Sequence, residues 1–180
     1  MAKDIKTYYE QSYIDNTLRL REVLQTLPSF TKDYFRAVEP TTSAKTRISY
    51  AYDIRVFFHF LIENNPIYHD YTTTQFTLQD LERVEPIDIE EYLEYLKVYK
   101  ADDNQVITNG EKGLARKFSS LRSFYRYFYR HQMIEKNPTI FVDMPKLHDK
   151  AIIRLDIDEV ALLLDYVENC GKELTGQKKV

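Results

Sequence analysis

Residues 108–134, TNGEKGLARKFSSLRSFYRYFYRHQMI, decide how this chain reads. The stretch has the pattern of one long amphipathic helix. Thr108 and Glu111 have the spacing of a capping box, in which each side chain satisfies the other's free backbone donor at a helix start. At about 100° per residue, Leu114, Phe118, Leu121, Tyr125 and Phe128 fall within about 80° of one another, a stripe made to face a core. The opposite side carries Lys112, Arg116, Ser119, Ser123, Arg126 and Arg130, with Ser120 and Tyr127 beside them and Lys117 and Arg122 on the flanks.

A charged helix face is usually a solvated one, with acids and bases mixed so that i,i+4 pairs form. Here no Asp or Glu occurs between residues 112 and 134. With 28 acids among 180 residues, chance leaves such a run bare about one time in fifty, which favours anion binding over simple solvation. Small hydroxyls between the arginines let a backbone come close and donate hydrogen bonds to it, as a phosphodiester strand or a base edge requires.

Working outward, the composition is that of a globular protein, with 43% hydrophobic residues and aromatics dominated by 15 Tyr and 10 Phe. Four Gly and six Pro argue against a turn-rich β fold, so the fold class is all-α. No run is long and apolar enough to span a bilayer, no secretory leader is evident, and the lone Cys170 forms no internal disulfide, so a cytoplasmic setting without membrane partners is expected. The net charge of −3 hides a strong asymmetry. Residues 77–103 hold nine acids against three bases, and residues 109–136 seven bases against two acids. A polyanion meets the local field, not the mean.

Before the basic helix, residues 5–27 form a helical pattern through Tyr9, Tyr13, Leu20, Val23, Leu24 and Leu27, stopped by Pro28. A short helix over 31–38 is anchored by Phe30, Tyr34 and Phe35. Thr42 or Ser43 caps a helix running to about 64, with Tyr50, Ile54, Phe57 and Leu61 inward and Lys45, Tyr52, Arg55 and His59 outward. Thr77 and Asp80 form another capping box, and Pro86 opens a helix through Ile89, Tyr92, Leu93, Leu96 and Tyr99, followed by a polar loop over 102–109. Beyond residue 136, Pro138 and Pro145 keep the chain extended, as in a linker. Asp156 and Glu159 then cap a helix over 160–167, ended by Gly171, which reads as the opening of a further domain.

From about residue 42 to 159 the chain resembles the N-terminal core-binding domain of tyrosine recombinases, the phage-integrase and Xer-like site-specific recombinases. The resemblance rests on Thr46-x-x-x-Tyr50-x-x-Asp53-x-x-x-Phe57-Phe58-x-x-Leu61, then Ile87-Asp88-Ile89-x-x-Tyr92-Leu93. It continues through Ala115-Arg116-Lys117-Phe118-Ser119-Ser120-Leu121-Arg122-Ser123-Phe124-Tyr125-x-Tyr127, then Asn137-Pro138, and Pro145-Lys146 ahead of Asp156-x-x-Glu159. It implies a SAM-like orthogonal bundle of four to five helices, with an extra N-terminal helix and a C-terminal linker plus helix. The implied division is 1–40 as a helical extension, 41–136 as the core-binding domain, 137–155 as an interdomain linker and 156–180 as the first helix of a catalytic domain.

The implied partners are double-stranded DNA and, in the full-length protein, other recombinase protomers, with the chain alone monomeric. Contacts carried over are Lys45, Thr46 and Ser49 on one helix and Arg116, Lys117, Ser119, Ser120 and Arg122 on the other. The helical face adds Lys112, Ser123, Arg126 and Arg130, whereas Arg47 and Tyr50 are expected to pack. The family's tyrosine nucleophile and its arginine pair belong to the catalytic domain. No His-x-x-Arg occurs here, since His59, His69, His131 and His148 are followed at the third place by Ile62, Thr72, Ile134 and Ala151. The chain is therefore expected to be no enzyme on its own, with no cofactor and no metal. The competing class is a helical adaptor whose basic face docks an acidic protein.

Overall fold

The computed structural model describes residues 7–101, 104–148 and 156–176, with residues 170–176 described by backbone alone. The chain divides into two units, residues 1–147 and 148–180. Within the first, helices α1 (Tyr8–Gln25), α2 (Thr31–Ala37), α3 (Ala44–Asn64), α4 (Leu78–Arg83) and α5 (Pro86–Tyr95) precede a hairpin of β1 (Val98–Lys100) and β2 (Val106–Thr108), and α6 (Glu111–Arg130) follows it. The second unit holds α7 (Ile157–Gly176).

Local chemistry sets most of the starts. Thr7 and Glu10 cap α1 reciprocally, and Thr77 and Asp80 do the same for α4, with the Thr77 amide donating to Asp80 Oδ2 at 2.8 Å. Ser43 caps α3, accepting from the Thr46 amide at 3.1 Å. Pro86 occupies the first turn of α5, where its missing N–H costs nothing. In α7 the Glu159 amide donates to Asp156 Oδ1 at 2.8 Å.

The core is built from rings. α3 runs through its centre, burying Ile54, Phe57, Phe58 and Leu61. Phe57 meets Tyr92 of α5 edge-on with centroids 5.1 Å apart, and Phe58 meets Phe124 of α6 at 6.4 Å. Phe30, just before α2, touches Phe58, Phe124 and Phe128. The α6 stripe is buried as its periodicity requires, except for Leu114, which is only partly covered, and Phe124 joins it.

Several expectations are corrected. Thr108 lies in β2, not at a helix cap: α6 is capped by Gly110 without a side-chain hydrogen bond. Its last residue is Arg130, since Gln132 takes a left-handed conformation (φ 55°) that breaks the helix. The α5 helix stops at Tyr95, and part of the expected helix and polar loop forms the antiparallel hairpin, in which Tyr99 pairs with Ile107. Asn104 supplies the positive φ of 62° at its tip, a conformation Asn tolerates better than most residues. In α1, Tyr9 and Tyr13 are exposed instead of inward, because that end of the helix runs past the core. Gly171 lies within α7 and does not end it. The segment read as a linker starts with buried residues, Asn137, Pro138 and Thr139, and Thr139 donates to the Asn137 side chain at 2.7 Å.

Phe124 touches Phe30, Tyr34, Phe58, Tyr125 and Phe128. Truncating it leaves a cavity that rigid neighbours cannot fill, so Phe124→Ala should destabilise the chain by about 3–5 kcal/mol, read as a lower urea midpoint with an unchanged slope.

Candidate nucleic-acid interface

The two helices expected to meet DNA cross in the bundle. On α3, Lys45 is exposed and Thr46 and Ser49 half-exposed, while Arg47 is buried, its guanidinium donating to the carbonyls of Glu39 (3.1 Å) and Thr42 (2.9 Å). On α6, Lys112, Ser119, Arg126 and Arg130 are exposed, and Arg122 and Ser123 half-exposed. Ser119, Arg122, Ser123 and Arg126 line one groove of about 600 Å³ together with Tyr50, Tyr129 and Asn137. Ser123, Arg126 and Arg130 line a second, of about 390 Å³, with Tyr34, Tyr127 and His131. Arg126 thus belongs to both.

Two expected contacts are turned inward. Lys117 is 7% exposed, and Ser120, fully buried, donates to the Lys117 carbonyl at 2.8 Å. The reason is a carboxylate that local spacing does not reveal. Asp53 of α3, buried, accepts from Arg116 Nη1 at 2.6 Å and Nη2 at 2.9 Å, and from Lys117 Nζ at 3.2 Å. The aromatic ring of Tyr99 covers the Lys117 ammonium at 5.8 Å. Arg116 keeps its side chain 48% exposed, so it is tied at one edge and open at the other.

Other partners missed at the sequence level are Tyr34, whose hydroxyl donates to Ser123 Oγ at 3.1 Å, and Tyr50 and Tyr129 in the groove walls. Accepting from Tyr34 leaves the Ser123 proton free to be donated outward. The Arg122 guanidinium carbon lies over the Phe118 ring, 5.7 Å from its centroid, which orients the head group. Among the described residues, no group of three or more His, Cys, Asp or Glu side chains is placed to hold a metal ion. Nor is any described helix long and apolar enough to cross a membrane. The arrangement offers cations, hydroxyls and rings along two adjoining grooves, the chemistry of a site for a polyphosphate strand.

Residues 31–132 match the family described as "Phage integrase, N-terminal SAM-like domain". The chain belongs to that family. This SAM-like chain is also 32% identical over 145 residues to the tyrosine recombinase XerC of Caldanaerobacter subterraneus, covering 78% of its own length and 40% of the relative's. It is 32% identical over 124 residues to a tyrosine recombinase of Pseudothermotoga lettingae, covering 69% of its own length and 37% of that protein. A tyrosine recombinase XerD of Staphylococcus epidermidis is 32% identical over 93 residues, 43% of this chain and 32% of that one. The chain therefore spans about 40% or less of these relatives. No solved structure matches it. The all-α bundle with its small hairpin is the SAM-like fold anticipated from the sequence.

Four tyrosines of the core hold their protons more tightly than usual. Burial pushes Tyr34 and Tyr68 up to about 12, with Ser123 partly offsetting it at Tyr34, and burial raises Tyr92 and Tyr125 well above 10. Because the folded pKa exceeds the unfolded one, the unfolded chain loses these protons first. Their contribution to stability is complete below pH 10 and is lost as pH rises through about 12. Unfolding free energy measured against pH should therefore hold level up to pH 10 and fall beyond it, together with the appearance of phenolate absorbance.

Proposed function

We propose that this chain is the DNA-gripping domain of a tyrosine site-specific recombinase, laying α3 and α6 along one side of a duplex. The observation that carries the reading is the acid-free outer face of α6, with Arg126 shared between two hydroxyl-lined grooves. Membership of the integrase SAM-like family and likeness to proteins named tyrosine recombinases support it. The contact set is Lys45, Thr46, Ser49, Lys112, Arg116, Ser119, Arg122, Ser123, Arg126 and Arg130. Lys117 and Ser120 leave it because they are buried.

The domain works by positioning. Cations neutralise phosphates and release their counterions, hydroxyls fix the register, and strand cleavage belongs to a catalytic domain outside the matched region. Other protomers join on DNA in the full-length protein, while this chain alone is a monomer. A single domain on one side of the duplex binds weakly, with a dissociation constant of roughly micromolar or poorer at physiological salt.

Titrating a labelled duplex of arbitrary sequence tests this. If four phosphates are neutralised, log affinity should fall with log salt at a slope near about −3.6. Arg126→Ala should weaken binding alike across sequences and make the slope shallower by about 0.9. No binding at 50 mM salt would overturn the reading in favour of a protein-docking module.

A further inference from the structure

The buried carboxylate of Asp53 stands where the two proposed DNA-facing stripes meet. Lys45, Ser49 and Asp53 recur every four residues on α3 and lie within about 80° of one another, and Arg116, Ser119, Ser123 and Arg126 do the equivalent on α6. The stripes join through the paired contacts of 2.6 and 2.9 Å from Arg116 to Asp53. An acid on a face meant for phosphate is electrostatically unfavourable by itself. Here two cations share it, so the trio of Asp53, Arg116 and Lys117 keeps one net positive charge.

We propose that Asp53 is a positioning residue for DNA recognition: it aims the Arg116 guanidinium outward, and Lys117 supplies the charge that leaves Arg116 available to a phosphate. The inference rests on the DNA-binding reading above and adds a role for a residue that never touches DNA. An end-on pair with a carboxylate uses one hydrogen of each Nη, leaving the Nε–H and the second Nη hydrogens to donate elsewhere. Lys117, its side chain 9% exposed beneath Tyr99, cannot reach a duplex and stays with Asp53. Arg116, 48% exposed, can. Fixing a long side chain before the ligand arrives removes an ordering cost from the binding step.

The proposal predicts a sign that charge alone would reverse. Asp53→Asn removes a negative charge near the DNA face, so a purely coulombic role means tighter binding and a steeper salt slope. A positioning role means about tenfold weaker binding of the labelled duplex by the full 180-residue chain, the guanidinium being released. In an Arg116→Ala background the same Asp53→Asn change should instead strengthen binding, since its charge effect alone remains. Thermal melting checks that each variant is folded. Should Asp53→Asn not fold, Arg116→Lys retains charge and the Asp53–Lys117 pair but loses the fork. It should bind about tenfold more weakly at an unchanged slope.

Tighter binding by Asp53→Asn, or wild-type affinity in Arg116→Lys, overturns the inference and leaves the DNA reading standing. A wild-type chain that binds no duplex at 50 mM salt overturns both.

Discussion

The whole domain depends on α6 burying one face completely. Phe118, Leu121, Phe124, Tyr125 and Phe128 are buried, with rings of Phe30, α2 and α3 against Phe124, Tyr125 and Phe128, and the Leu81 carbonyl of α4 accepting from the Tyr125 hydroxyl. Aromatic side chains bury large areas with few rotamers to freeze, so a small bundle can hold a long helix in a single orientation. That orientation decides which side of α6 remains outside. Once the apolar stripe is fixed, Arg126 and Arg130 have no alternative but solvent, and the two grooves beside them follow from the neighbours that α2, α3 and the 137–144 segment supply.

The second constraint is electrostatic and sits at the helix crossing. A buried carboxylate left with no partner costs roughly 3–5 kcal/mol, which makes the Asp53 cluster a structural commitment as well as a feature of the proposed binding face. Lys117 and Ser120 show how near the two roles lie. Each is one position from a residue on the outer face, yet a rotation of about 100° takes them into the bundle.

Much of this was legible in the order of residues. Hydrophobic spacing located the helices, capping pairs such as Thr77 with Asp80 located starts, and prolines located stops, because these signals act within a few residues. The failures have the same root. Lys117 looked like a DNA contact because its partner lies 64 residues away, and no periodicity connects them. Tyr9 and Tyr13 carry the helical pattern, but whether anything lies opposite depends on where the bundle ends. The hairpin was missed because Val98–Lys100 and Val106–Thr108 are three residues each, too short for an alternating pattern to show. The Tyr34 hydroxyl on Ser123, spanning 89 residues, was equally out of reach.

Tyr99 roofing the Lys117 ammonium has an implication for how the domain responds to its medium. Dissolved ions screen charges they can surround, and an ammonium wedged between a ring and a sequestered carboxylate is hard to surround. Outer arginines and the inner lysine therefore live in different electrostatic climates. Brine strong enough to strip the proposed polyanion from the surface leaves the internal latch closed, so release of that ligand would not loosen the architecture.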